Sequence, residues 1–425
     1  MTDILNFRLP AGWKETSLNN LIAAGSRITY GVVQPGEKVL HGIPLVRGGD
    51  VFDGQIFEQN LRTIAPAISE AYPHTVLKGG ELLMSLVGYP GEVALVPPSL
   101  AGANIARQVA CIRLNRHVDN RYLMYYLQSD LGKHYLAQKS TGSAQQVINL
   151  ADLKDLTVVT ATLPEQKKIA SILETVDALI ETTRQKIAKL KNLKTGVMQE
   201  LFSRGIGQSS LKSSPVGSIP QNWGLSTLGQ VSARLQTGPF GNQLHSQDYV
   251  ETGVPVVMSR DIKDQLIQTG ALARISQKKA DSLERFKLRS GDILFSRRGD
   301  IGRTALVREE NAGWICGTGC LKVTLNASLV PEYFIFYLTL TGVIDWLNNN
   351  GVGQTMLNLN TSILAKLPVV VPPVAEQQII AATMASIDKV LIANEAKLRQ
   401  LIHTKKSLMQ DLLTGRVLTR IDGHD

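Results

Sequence analysis

The chain has 425 residues, of which 44% are hydrophobic and 19% charged, a balance that excludes bulk disorder and leaves room for about two to four domains. Lys and Arg outnumber Asp and Glu by 45 to 36, and the resulting charge of +9 weakly favours a polyanionic partner. The sequence holds no 18-residue apolar run, no signal-peptide layout at its start and only three cysteines, Cys111, Cys316 and Cys320, a pattern that predicts a cytoplasmic protein without disulfides.

The sequence repeats itself with a period near 211 residues. Five short matches recur in the same order, which chance does not produce, and internal repeats decide the architecture of a chain. The matching stretches are 10–13 with 220–223 (both Pro-x-x-Trp), 80–85 with 291–296, 91–96 with 302–307, 142–145 with 351–354, and 165–166 with 376–377 (both Glu-Gln).

In chain order, the repeat predicts a globule and a long helix, each present twice. The predicted segments are a first globule (1–164), a central helix (165–204), a linker of flexible composition (205–222), a second globule (223–375), a C-terminal helix (376–416) and a tail (417–425). Each globule is expected to be a mixed α/β (α+β) fold rich in turns. Ile293-Leu294-Phe295 and Val369-Val370-Val371 are expected to be strands, and 122–129 and 333–339 short amphipathic helices.

Both predicted helices carry apolar residues at alternating spacings of three and four, which is typical of a coiled-coil seam. The seam residues are Ile169, Leu173, Val176, Ile180, Ile187 and Leu190 in the first helix and Ile380, Ile387, Leu391, Leu398, Leu401 and Leu408 in the second. The polar exceptions fall at equivalent places, Thr183 with Asn394 and Lys194 with Lys405. We expect the two helices to pair antiparallel; the alternative is that each lies on its own globule.

The apolar stripe on each helix is wider than a seam alone requires. Ile172, Leu179 and Leu193 widen it in the first copy, and Val390 and Ile402 in the second. Such width predicts that further helices, of this chain or of other chains, pack on the pair. A pseudo-dimer with two unlike globules would also suit two unlike DNA half-sites.

Two turn-rich segments carry side chains suited to base edges: recognition loop 1 (27–36) and recognition loop 2 (236–245). Arg can pair with guanine, and Gln or Asn with adenine. Turn chemistry or solvated loops are the alternative explanation. The candidate DNA contacts are Arg27, Thr29, Tyr30, Gln34, Arg47 and Arg107 in the first globule, and Gln236, Thr237, Phe240, Asn242, Gln243, Arg260, Arg297, Arg298 and Arg303 in the second.

Motifs for catalysis are missing from the sequence. No phosphate loop, dinucleotide fingerprint or Asn/Asp-Pro-Pro-aromatic tetrapeptide is present. Cys316 and Cys320 lack the further ligands of a zinc site and are expected to be buried. Asp292, which matches Glu81 in the first copy, is expected to belong to a repeated turn. We therefore predict no catalytic residue and no metal in this chain.

Taken together, the ordered duplication, the Pro-x-x-Trp starts, the loops around Thr29-Tyr30-Gly31 and Gly238-Pro239-Phe240-Gly241, and the Glu-Gln-led helices resemble the specificity subunit of a Type I restriction–modification system. The resemblance covers nearly the whole chain. It implies a non-catalytic subunit whose two target recognition domains read a bipartite, asymmetric double-stranded DNA site, the first domain reading the 5′ half.

The resemblance also implies partners and cofactors. The helices would act as spacer and would dock two modification (adenine methyltransferase) subunits and one or two restriction (translocase/nuclease) subunits. Those partners, not this chain, would hold S-adenosylmethionine, ATP and Mg. The alternatives are a stand-alone DNA-binding regulator, which the wide apolar stripe disfavours, and a self-contained nuclease or methyltransferase, which the missing motifs disfavour.

Overall fold

The computed structural model of the chain describes residues 9–139, 147–207, 210–214, 217–240, 243–298, 300–353 and 358–420. The chain forms two compact units. Unit 1 consists of Met1–Gln185 together with Glu395–Asp425, and unit 2 of Lys186–Asn394. Each unit therefore contains one globule, part of its own long helix and part of the long helix of the other copy.

Unit 1 is built from small sheets. Its strands are β1 (Lys14–Ser17), β2 (Thr29–Tyr30), β3 (Ile43–Val46), β4 (Val51–Phe52), β5 (Gln55–Ile56), β6 (Arg62–Ile64), β7 (Leu82–Ser85), β8 (Val93–Leu95), β9 (Asn104–Ile105), β10 (Val109–Ile112) and β11 (Thr157–Thr160). The strand orders are β2-β10-β7-β8, β6-β3-β9, β1-β11 and β4-β5. Its short helices are α1 (Pro66–Glu70), α2 (Asn120–Gln128), α3 (Asp130–Lys139) and α4 (Leu150–Lys154).

Unit 2 repeats this plan. The first long helix, α5 (Leu163–Arg204), precedes its strands. These are β12 (Leu211–Ser214), β13 (Gly217–Pro220), β14 (Gly224–Thr227), β15 (Ser232–Thr237), β16 (Tyr249–Val250), β17 (Val254–Val257), β18 (Ile262–Lys263), β19 (Leu266–Ile267), β20 (Ala273–Ile275), β21 (Ile293–Ser296), β22 (Thr304–Leu306), β23 (Ile315–Cys316), β24 (Cys320–Leu325) and β25 (Pro368–Val371). Its helices are α6 (Gln277–Ser282), α7 (Pro331–Tyr337), α8 (Thr341–Asn350), α9 (Thr361–Ala365) and the second long helix, α10 (Val374–Leu413).

The strand orders confirm the duplication. Unit 2 has β15-β24-β21-β22, β16-β20-β17-β23, β14-β25 and β18-β19, which match the four arrangements of unit 1 apart from the extra edge strand β16. A β12-β13 hairpin also occupies part of the segment whose composition predicts a flexible linker. The mixed helix and strand content confirms the predicted fold class.

The long helices pair antiparallel, as predicted. In unit 1 the start of α5 packs with the end of α10: Ile169 and Leu173 share a core cluster with Leu412. In unit 2 the end of α5 packs with the start of α10, where Phe202 shares a cluster with Ile380. All of the predicted seam residues are at least partly buried. The fully buried ones are Ile169, Leu173, Ile180, Ile187 and Ile380, and the partly buried ones are Val176, Leu190, Ile387, Leu391, Leu398, Leu401 and Leu408.

The first turns of each long helix also lie on its own globule, so the two alternatives for the helices both hold in part. This explains why α2 and α7, which are predicted as short amphipathic helices and are helices in the structure, are so deeply buried. Residues 122–127 of α2 and 333–337 of α7 are all buried. Each short helix is covered on one side by the globule and on the other by long-helix residues of the same core cluster, and solvent reaches mainly first-turn residues such as Arg121 and Glu332.

The Pro-x-x-Trp motif is a tight turn that buries its tryptophan. The Trp13 N–H donates to Pro10 O at 3.1 Å, and the Trp223 N–H donates to Pro220 O at 3.0 Å. A long helix ends against each turn. A Cβ on Gly205, after α5, would lie 2.8 Å from Trp223, and one on Gly415, after α10, would lie 2.5 Å from Pro10. Both glycines also have positive φ. Glycine is therefore required at each position for two reasons, the lack of space for a Cβ and the left-handed backbone.

The Glu-Gln motif attaches each long helix to its globule through a buried glutamine. Gln166 Oε1 accepts the Asp119 N–H at 2.8 Å, and its amide donates to Ala161 O at 2.9 Å. Gln377 repeats this in unit 2: its Oε1 accepts the Val330 N–H at 2.7 Å, and its amide donates to Pro372 O at 2.8 Å.

Across the described ranges, no helix combines the length and the apolar character that a membrane span requires.

Candidate nucleic-acid interface

In unit 1, three backbone segments that carry candidate residues lie side by side. The Arg107 N–H donates to Val32 O at 2.9 Å, which joins the Arg107 segment to recognition loop 1. The Ala106 N–H donates to Val46 O at 2.9 Å, which places the segment of Arg47 on the other side. Thr29 and Tyr30 precede this meeting point on β2, at the edge of its sheet. The structure thus brings loop 1, Arg47 and Arg107 together.

Exposed cations dominate this part of unit 1. Arg27, Tyr30, Gln34, Arg47 and Arg107 are all exposed, and Thr29 is partly buried. Arg47 forms an ion pair with Asp50, three residues further along the chain. Its Nε and Nη2 donate to the two carboxylate oxygens at 3.1 and 3.0 Å, which raises the pKa of Arg47. The side chains of Arg27 and Arg107 have no hydrogen-bond or ion-pair partner among the residues described, so their donors are free for an external acceptor.

In both recognition loops a glycine follows the edge strand, at a place where the neighbouring backbone leaves no space for a side chain. A Cβ on Gly31 would lie 1.8 Å from Ile105 O, and one on Gly238 would lie 1.9 Å from Gly317 O. The two loops therefore leave equivalent edge strands, β2 and β15, at equivalent places. What differs between them is the side chains that they present.

Recognition loop 2 begins with Gln236 and Thr237, both partly buried on β15. The Oε1 of Gln236 is buried without a hydrogen-bond donor among the described residues. Gln243 serves the loop itself, because its Oε1 accepts the Phe240 N–H at 3.1 Å. Asn242 lies outside the described residues.

The four candidate arginines of unit 2 are in different states. The Arg297 guanidinium lies 4.4 Å from the centre of the Phe240 ring, and its Nε and Nη1 atoms are buried without an acceptor in the described ranges. Burial and the neighbouring Arg298 lower the pKa of Arg297. Arg298 is exposed. Arg303 donates to Asp300 at 2.8 Å, and Arg260 is exposed with Asp261 at 3.6 Å.

Outside the recognition loops, the acids and thiols noted in the sequence have structural roles. The Lys78 N–H donates to Glu81 at 2.7 Å and the Arg289 N–H to Asp292 at 2.9 Å, which confirms the repeated turn. All three cysteines are buried, and burial raises the pKa of Cys320 to about 12. Within the part of the chain that the structure describes, no group of three or more His, Cys, Asp or Glu side chains is placed to hold a metal ion.

The long helices expose the apolar residues that widen their stripes. Leu179, Leu193, Val390 and Ile402 are 46%, 53%, 44% and 46% exposed, while Ile172 packs partly buried against the core. Sequence reasoning missed the acids that complete the seam, Asp177 and Asp388, each of which pairs with a seam lysine of the facing helix. The signal was available, since the same acid occurs at the same place in both copies.

Comparison with known proteins identifies the family. A model described as the Type I restriction modification DNA specificity domain matches residues 13–192 and again 220–404. A chain named as the MjaX type I restriction enzyme specificity subunit, from Methanocaldococcus jannaschii, is 26% identical over 420 residues, which cover 96% of this chain and 94% of that one. The EcoBI specificity subunit of Escherichia coli is 31% identical over 199 residues, 46% of this chain and 42% of that subunit.

Solved structures share the fold. The S subunit of a Type I restriction–modification system from M. genitalium superposes with a TM-score of 0.60 at 16% identity, covering 96% of this chain and 97% of that one. A chain from a structure on complex assembly and conformational transition of the type I R-M system gives a TM-score of 0.54 at 18% identity, covering 97% and 100%. The two matches of the family model take in most of both repeats, so the chain belongs to the Type I restriction modification DNA specificity family.

Proposed function

We propose that this chain is the DNA-reading specificity subunit of a Type I restriction–modification complex. Unit 1 reads the 5′ half of a bipartite, asymmetric site, and unit 2 reads the other half. The observation that carries this is the repeated frame with unlike side chains: Thr29-Tyr30 of loop 1 and Gln236-Thr237 of loop 2 occupy equivalent edge strands. Two copies of one frame with different contacts suit two different half-sites.

The proposed partners follow from the paired helices. Two modification subunits dock on them, the exposed Leu179, Leu193, Val390 and Ile402 giving the apolar area that such docking needs, and one or two restriction subunits complete the assembly. S-adenosylmethionine, ATP and Mg belong to these partners, and this chain carries no catalytic group of its own. The helix pair also sets the spacing between the two half-sites.

The test is to co-express the chain with its modification subunit and to map methylated adenines across the host genome. We expect new methylation at one asymmetric site with two specific halves and a fixed non-specific spacer. A continuous or palindromic site would contradict the proposal. A chain that binds DNA specifically but never co-purifies with a modification subunit would instead be a stand-alone regulator.

A further inference from the structure

Arg297 occupies a position that the first copy fills with a core leucine. In unit 1, the Leu86 N–H donates to Gln108 O at 2.7 Å, and Leu86 O accepts the Ile148 N–H at 3.0 Å. In unit 2, the Arg297 N–H donates to Gly319 O at 2.9 Å, and Arg297 O accepts the Leu359 N–H at 2.9 Å. The backbones are therefore equivalent. Leu86 is only 4% exposed and belongs to the core of unit 1.

The next pair of residues changes in the same way. Val87 forms a bridge with Val147 in unit 1, and Arg298 forms the equivalent bridge with Asn358 in unit 2. One small surface is thus apolar in unit 1 and strongly polar in unit 2. Asn358 also has a buried Oδ1 without a hydrogen-bond donor among the described residues.

Folding alone gives no reason for Arg297. Burying donors of a cation without a hydrogen-bond partner costs free energy, and the frame accepts leucine at this place. The guanidinium lies against the Phe240 ring, but its Nε and Nη1 find no acceptor in the described parts of the chain. Stacking on an aromatic ring holds the plane of the guanidinium. These donors are left for an acceptor that the described residues do not supply.

Guanine suits the planar fork of this guanidinium better than phosphate does, because Nη2 lies side by side with Nε on one edge and with Nη1 on the other. Guanine presents two acceptors, O6 and N7, side by side in the major groove, and arginine is their commonest partner. A partly buried, stacked side chain cannot follow the DNA backbone, whereas the exposed Arg298 beside it can. We propose that Arg297, held against Phe240, reads a guanine in the half-site of unit 2. This inference rests on the proposed function of the chain as a DNA-reading subunit.

The experiment measures DNA binding by the complex of the full chain with its modification subunit, on duplexes that carry the methylated site found by genome mapping. The key variant is Arg297→Leu, because the first copy shows that the frame accepts leucine. We expect it to lose about 5- to 150-fold in affinity for the native duplex. We also expect it to lose discrimination at one G·C pair of one half-site and to keep all discrimination in the other half.

Two further probes locate the contact. Replacing that guanine with 7-deazaguanine should weaken the wild-type complex and leave Arg297→Leu unaffected. The matched control is Arg298→Ala, which should keep sequence discrimination and lower the salt dependence of binding by about one unit of slope. Equal thermal unfolding midpoints of Arg297→Leu and wild type would show that the loss of discrimination does not come from misfolding. If Arg297→Leu has a lower midpoint, the second variant is Arg297→Lys, which keeps the charge but not the planar fork. It should lose discrimination at the same single position.

Three results would overturn the inference: unchanged discrimination in Arg297→Leu, a loss that is equal for every sequence, or a unit 2 half-site without a G·C pair. These are distinct from failure of the proposed function. If the wild-type complex binds no duplex specifically, the DNA-reading role itself is wrong. If the wild type is specific and Arg297→Leu is equally so, only the role of Arg297 is wrong.

Discussion

Lys194 Nζ on α5 lies 2.6 Å from Oδ1 of Asp388 on α10, inside unit 2. Unit 1 contains the same pair with the helices exchanged, Lys405 of α10 lying 2.7 Å from Asp177 of α5. Each lysine also lies over an aromatic ring of its unit, Phe336 at 5.7 Å and Tyr125 at 5.4 Å. The two lysines that interrupt the seam therefore make contacts between the helices, and polar residues at such positions fix register.

We predict that Lys194→Met destabilises the protein by about 1 kcal/mol, because it leaves Asp388 partly buried without its cation. The added change Asp388→Leu should recover most of that loss. Urea unfolding measures both. The control is Arg204→Met on the same helix, whose pair with Glu200 is more than half exposed at 3.6 Å and should change the free energy of unfolding by less than about 0.5 kcal/mol. Equal effects at both sites would rule out a structural role for the seam pair.

Leu190 and Leu193 separate pairing from docking. Leu190 is a partly buried seam residue, and Leu193, less than one turn later, is 53% exposed. Leu190→Asp should lower the unfolding midpoint and abolish co-purification with the modification subunit, because it places a charge in the seam. Leu193→Asp should abolish co-purification with little change in the unfolding midpoint. If the Leu193 variant assembles normally, this stripe is not the docking surface.

Gln377 is predicted to stabilise unit 2 far more than its neighbour. Gln377→Leu removes the acceptor for the Val330 N–H at the start of α7 and leaves buried backbone groups unpaired. We expect a loss of about 2 kcal/mol or more. Gln378→Leu, at an exposed position, is the matched control and should be nearly neutral. Thermal unfolding of the full chain measures both, and similar midpoints would contradict the assigned role.

A matched insertion tests whether the helix pair measures the DNA spacer. Adding four residues after Lys189 in α5, and four between Ala393 and Asn394 in α10, lengthens the pair by ~6 Å. The methylated site should keep both half-sequences and gain one or two spacer base pairs, since base pairs are stacked ~3.4 Å apart. Insertion into α5 alone should instead disturb the seam and weaken the complex. An unchanged spacer in the doubly lengthened chain would exclude the measuring role.

Much of the architecture was readable from the sequence because it depends on local spacing. The seam follows from apolar residues at intervals of three and four, and the duplication from ordered matches at a nearly constant offset. The complete burial of residues 122–127 and 333–337 could not be predicted in this way, because the residues that cover them, such as Met409 in the core cluster of α2, come from distant parts of the chain.

The candidate site was less predictable, since the state of a side chain depends on its neighbours in space. Arg47 and Arg297 look alike in the sequence. The structure ties Arg47 to Asp50 and leaves Arg297 stacked on Phe240 with unused donors. Aligning the two copies with a shift of 211 residues places Arg297 opposite Leu86, and this difference was visible in the sequence. The orphaned donors and the contact with Phe240 were not.

The chain segments that make up the two units determine which unit can fold first during synthesis. Unit 2 is one continuous stretch, Lys186–Asn394, whereas unit 1 needs Glu395–Asp425 as well. The core of unit 1 includes Met409, Leu412 and Leu413, at the end of α10. Although most of unit 1 is synthesised first, its core is therefore incomplete until α10 has been synthesised. The second half-site reader can complete its fold before the first, and a nascent chain interrupted near residue 395 would carry one finished reader and one that is still open.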